Sequence, residues 1–113
     1  MSVASLLSSI KSKQDEISHK LREINTIKEH IQSETEHKKH DAESYTKRIA
    51  GTKDATQKTY LRDQKIKAIS DRTKKILEYK ARIERIKPDI VKIKDQIARY
   101  KDEIAKERKR EKK

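Results

Sequence analysis

The chain of 113 residues has no cysteine, tryptophan or phenylalanine, and only one glycine, one proline and one methionine. Without cysteine there is no disulfide and no thiolate metal ligand. One Gly and one Pro leave few residues for the tight turns of a compact domain. At 31% hydrophobic against 44% charged, the chain is also short of the apolar residues that a globular core needs. No apolar run is long enough to span a membrane. The opening Met1-Ser2-Val3-Ala4-Ser5-Leu6-Leu7 lacks the basic n-region of a signal peptide. A cytoplasmic location is therefore expected, although a leaderless protein exported by a specialised secretion machine would carry the same features.

What is present is a period. Ile69, Ile76, Ile83, Ile90, Ile97 and Ile104 recur at every seventh position, and Tyr79, Ile86, Ile93 and Tyr100 each follow one of them by three. Apolar residues alternating at three and four place one stripe along a helix, which is the a/d seam of a coiled coil. Disorder would also fit the composition, but it gives no reason for isoleucine every seventh residue. In the first half the same spacing runs through Val3, Ile10, Ile17, Ile24, Ile31, Lys38 and Tyr45 at d. Leu7, Gln14, Leu21, Lys28, Thr35, Ala42 and Ile49 fall at a.

Counting back from Ile69 puts an a position at Arg62, whereas counting forward from Ile49 puts it at Asp63. The frame slips between the halves, and the slip contains the only glycine. In Ala50-Gly51-Thr52-Lys53-Asp54, Gly51 suits the left-handed position after a helix C-terminus. Asp54, with Gln57 three residues on, suits an N-cap with a capping box. The expected fold is an all-α antiparallel two-helix coiled-coil hairpin forming one domain. Helix 1 covers residues 3–50, a turn covers 51–54 and helix 2 covers 55–107, with a possible kink at Pro88, and a basic tail covers 106–113. The expected register sets Val3 opposite Ile104, Ile10 opposite Ile97, Ile17 opposite Ile90, Ile24 opposite Ile83 and Ile31 opposite Ile76. It also brings Lys20 to Asp89 and Glu34 to Lys75. Lys28 is expected to lie inside along Tyr79, and Pro88 to point away from the seam.

Charge is unevenly placed. Residues 1–50 carry nine Lys and Arg against eight Asp and Glu, while residues 51–113 carry twenty-two against eleven, so nearly all of the net +12 lies in the second half. Lys80, Lys87, Lys94, Lys101 and Arg108 occupy the e column of helix 2, and the matching column of helix 1 (Lys11, Ser18, Asn25, Gln32, Lys39, Thr46) holds no acid. Beside the lysines, at b positions, stand Leu77, Val91, Ala98 and Ala105. An apolar strip bordered by lysines suits an acidic amphipathic helix. The bland reading is a solvated face whose lysine stems shield the seam.

The tail bases Lys106, Lys109, Arg110, Lys112 and Lys113 form a candidate anion-binding segment for nucleic acid or an anionic surface. That is the weaker alternative, because no Phe or Trp is available to stack on bases and the basic region follows the heptads, the reverse of a basic zipper. His37 and His40 have helical metal-ligand spacing, but their lysine neighbours would repel a cation. No catalytic, cofactor or metal residue is therefore expected. The expected function is a non-enzymatic interaction module: a small helical adaptor, chaperone-like or structural subunit that docks a protein partner with an acidic or amphipathic helix, with homo-oligomers an option. In topology and size alone, such a hairpin resembles small subunits of bacterial secretion systems, and no residue role follows from that likeness.

Overall fold

The computed structural model describes residues 2–111, which form an all-α helical hairpin. Helix α1 spans Val3–Ala50 and α2 spans Ala55–Glu111, and they pack against each other with no strand among the described residues. None of the described helices is long and apolar enough to cross a membrane.

The helix ends are built from side-chain caps. At the start of α1 the Ser5 N–H donates to Ser2 Oγ at 3.1 Å, and the Leu6 N–H donates to the Ser2 carbonyl at 3.0 Å. Ser2 is thus an N-cap. At the start of α2 the Thr56 N–H donates to Asp54 Oδ1 at 2.9 Å and the Lys58 N–H to the Asp54 carbonyl at 3.0 Å. Asp54 caps the helix through the Thr56 amide, in place of the reciprocal pairing with Gln57 that the sequence suggests. Replacing Asp54 by Ala is expected to lower stability by about 0.5–2 kcal/mol in urea unfolding.

Gly51 departs from its expected role. No described glycine has a positive φ, so the left-handed C-terminal position is not used. The Gly51 N–H still donates to the Lys47 carbonyl at 3.0 Å, the Thr52 N–H to the Ile49 carbonyl at 3.2 Å, and the Thr52 hydroxyl to the Arg48 carbonyl at 2.7 Å. Thr52 satisfies the carbonyls that a left-handed glycine would otherwise serve. A Cβ at Gly51 would lie 3.5 Å from the Lys47 carbonyl oxygen, an ordinary van der Waals distance. Gly51→Ala is therefore expected to raise stability by about 0.4–1 kcal/mol, by restricting the unfolded chain. A fall in the unfolding midpoint would show that the turn needs glycine after all.

The hairpin divides into two units. In the terminal unit, the part of α1 up to Asn25 packs on α2 from Ile83 onward. Its core contains Leu6, Ile10, Ile93, Ile97 and Ile104, with Val3, Ile17 and Tyr100 packed against them. Ile24, Ile83 and Ile90 are also buried. The turn unit, Thr26–Arg82, buries Ile27 and Leu61, and relies more on polar contacts. His30 stacks on Tyr79 with ring centroids 5.4 Å apart, and Lys65 Nζ donates to Thr46 Oγ1 at 3.0 Å.

In α2 the inward residues from Ile76 to Ile104 are those of the expected seam, and Pro88 stands exposed within an unbroken helix. In α1 one column is corrected. Val3, Ile10, Ile17, Ile24 and Ile31 turn inward, but the alternating column is Leu6, Lys13, Lys20, Ile27 and Glu34, and Leu7, Gln14, Leu21, Lys28 and Thr35 are exposed. The column is displaced by one residue, about 100° around the helix. Lys28 consequently does not line the seam. His30, which the sequence frame puts on the outer face, takes the place beside Tyr79.

Lys20 Nζ lies 3.8 Å from Asp89 Oδ2, the contact expected from the sequence. Ile10 and Ile97 share the terminal core, and in the turn unit His30 stacks on Tyr79.

Candidate partner-binding face

The candidate lysines lie on the open side of α2. In the terminal unit Lys87, Lys94, Lys101 and Arg108 are all exposed, as is Val91, at 56%. Leu77, at 58% exposure, and Lys80 are exposed too, but they belong to the turn unit and are not part of the terminal face. Lys106, Lys109 and Arg110 of the tail are exposed at the end of α2, and Lys112 and Lys113 lie outside the described residues. Arg110 Nη1 is held by Glu107 Oε1 at 2.9 Å.

The sequence reading missed the α1 side of this face. Because the α1 column is displaced, Leu7 and Leu21, assigned to the seam from their spacing, are each 48% exposed. They occupy the e column of α1, on the flank that carries the e column of α2. The juxtaposition is direct at one end, where Leu7, Ile10, Lys101, Ile104, Ala105 and Arg108 line a single shallow groove. The signal was available as the doublet Leu6-Leu7 and the neighbours Lys20-Leu21. Either member of each fits a three-four alternation, and spacing alone does not choose.

The two flanks differ electrostatically. On the flank of Asp89, charges pair across the helices through Lys20. On the other flank the α1 residues Leu7, Gln14 and Leu21, and Lys11 and Ser18 beside them, include no acid. Lys87 is an exception to the expected unneutralised ladder, because its Nζ bonds Glu84 Oε1 of its own helix at 2.9 Å. This exposed pair one turn apart is worth a fraction of a kcal/mol, and it leaves Lys94, Lys101 and Arg108 as the basic rim.

In the turn unit the polar centre is an ion cluster. Arg72 donates from Nη1 to Glu34 Oε2 at 2.9 Å and from Nε to Asp41 Oδ2 at 3.3 Å. The sequence pairs Glu34 with Lys75, and Arg72 takes that carboxylate because the displaced α1 column turns Glu34 toward the seam. The hydrogen bond from Arg72 holds the Glu34 carboxyl below its ordinary range. Partial burial opposes the shift, and the charges of Arg72, Lys75 and His37 reinforce it. The same bonds, to Glu34 and then Asp41, raise the Arg72 guanidinium further above its already high value. Asp41 is thereby engaged, and among the described residues no group of three or more His, Cys, Asp or Glu is arranged to hold a metal. His19 lies 3.3 Å from Glu23 on the outer surface.

No known protein family, characterised protein or solved structure matches the chain.

Proposed function

We propose that the chain is a non-enzymatic coiled-coil interaction module, an adaptor, chaperone-like or structural subunit that docks a helix of another protein within a larger assembly. One observation carries the reading: after the hairpin has closed its own seam, Leu7, Leu21 and Val91 are left exposed in the terminal unit beside Lys94 and Lys101. Apolar residues on a second column of the same helix are the pattern of a helix with two helical neighbours, where an isolated pair needs only one column. Small pairs of helices bury little surface, so association with further helices adds the stability they lack.

The alternative is a nucleic-acid or anionic-surface binder acting through the basic second half. It is supported by the excess of Lys and Arg in residues 51–113 and by the exposed Lys106 and Lys109. Site-specific photo-crosslinking in the native cell separates the two. A crosslinker at Leu21 is expected to capture a protein, nuclease treatment is expected to leave the adduct intact, and the same group at the outer residue Ser12 is expected to capture little. Adducts from Leu21 that contain nucleic acid, or that form equally from Ser12, would replace the adaptor reading with the alternative.

A further inference from the structure

We infer that the flank of the terminal unit carrying Leu7, Leu21 and Val91 receives one acidic amphipathic helix from a different protein, completing a three-helix seam. The inference rests on the helix-docking reading and adds the occupant and its chemistry. The hairpin turns Lys13 and Lys20 toward its own seam, half-buried, while Leu21 stands exposed one residue further on. The Lys20 stem packs at the seam while its ammonium reaches out to Asp89, and the column of Leu7 and Leu21 is left on the surface, open to a second neighbour. Leu7 and Leu21 are two heptads apart, about 21 Å along the helix, the spacing at which a docked helix presents successive seam residues. Ala98 and Ala105, exposed on α2, are small enough to let another backbone come close.

Charge selects the occupant. Lys94, Lys101 and Arg108 rim the face, and its one acid, Glu84, is engaged by Lys87. A second copy would bring the same lysines against these with no acid to meet them, which is repulsive in a desolvated interface. Nucleic acid would use the lysines but gain nothing from two leucines and a valine. A partner helix with Leu or Ile on its seam and Glu or Asp on its flanks satisfies both.

The test uses the full chain and two labelled peptides of about four heptads, both with Ile and Leu at a and d. One has Glu at e and g, the other Lys. By fluorescence anisotropy the Glu peptide is expected to bind at least about tenfold tighter than the Lys peptide. Leu7→Gln with Leu21→Gln, and separately Lys94→Glu with Lys101→Glu, are each expected to weaken the Glu peptide by about tenfold or more. Lys92→Glu with Arg99→Glu makes the same change in net charge on a different face, and is expected to leave affinity within about threefold. Circular dichroism at the assay temperature confirms that each variant is folded. Equal losses from the two charge reversals, or no binding of the Glu peptide, would overturn the inference. So would a self-associated hairpin that the Leu7 and Leu21 changes dissociate in sedimentation. Binding of the Glu peptide that ignores every face variant would overturn this site while leaving the helix-docking reading in place.

Discussion

Leu6→Ala is expected to lower the unfolding free energy by about 2–4 kcal/mol, while Leu7→Ala, one residue along, lowers it by less than about 1 kcal/mol. Leu6 is fully buried in the terminal core and Leu7 is 48% exposed. Truncating Leu6 removes its packing on Ile and Tyr side chains and leaves a void that a two-helix seam closes only in part. Truncating Leu7 removes surface that was already half in water. Urea unfolding followed by circular dichroism reads both, with Val91→Ala as a further exposed control. Equal shifts for Leu6 and Leu7 would refute the α1 column described above, and a larger shift for Leu7 would restore the column expected from the heptads.

Arg72→Ala is expected to loosen the turn unit more than any other single change to a charged residue there. Glu34 and Asp41, both half-buried, would be left as neighbouring like charges with their shared donor gone, and few buried apolar side chains, Ile27 and Leu61, would compensate. Hydrogen exchange should show lost protection around residues 34–41 and 68–76. Arg72→Met keeps most of the stem and removes the charge, so an intermediate loss is expected from it. Unchanged protection in both variants would show that the cluster contributes nothing net, as many exposed ion pairs do.

The cluster also sets the acid response of this unit. Because the folded Glu34 carboxyl is held below its ordinary value of 4.5, its contribution is complete above that value and is lost as pH falls through the depressed folded value. Arg72, raised further above its already high value by its bonds to Glu34 and Asp41, stays charged through the acid and neutral range and adds no slope near neutrality. Glu34→Gln is accordingly expected to flatten the loss of stability below the carboxylate range, and added salt to weaken it. A wild-type acid response identical to that of Glu34→Gln would mean that the Arg72 bond is not formed in solution.

Much of this molecule is determined by sequence alone. The isoleucines from Ile76 to Ile104, with Tyr79, Ile86, Ile93 and Tyr100 between them, have no competing apolar column except the sparse Leu77, Val91, Ala98 and Ala105. The buried face of α2 therefore follows from its period. The frame slip around Gly51 and the capping chemistry of Asp54 mark the turn for equally local reasons. The basic flank is legible because a column of lysines at sevenfold spacing needs no tertiary knowledge to be seen.

The rotation of α1 is a different matter. Leu6, Lys13, Lys20 and Ile27 form one column, and Leu7, Gln14, Leu21 and Lys28 form the next, with two apolar residues in each. Spacing at three and four accommodates both, so hydrophobic period leaves the helix free to turn by about 100°. Contacts with α2 broke the tie: Lys20 reaches Asp89, and His30 stacks on Tyr79 while Glu34 meets Arg72. Side-chain reach across the seam, which a one-helix pattern does not contain, thus decided which leucines close the hairpin and which stay exposed.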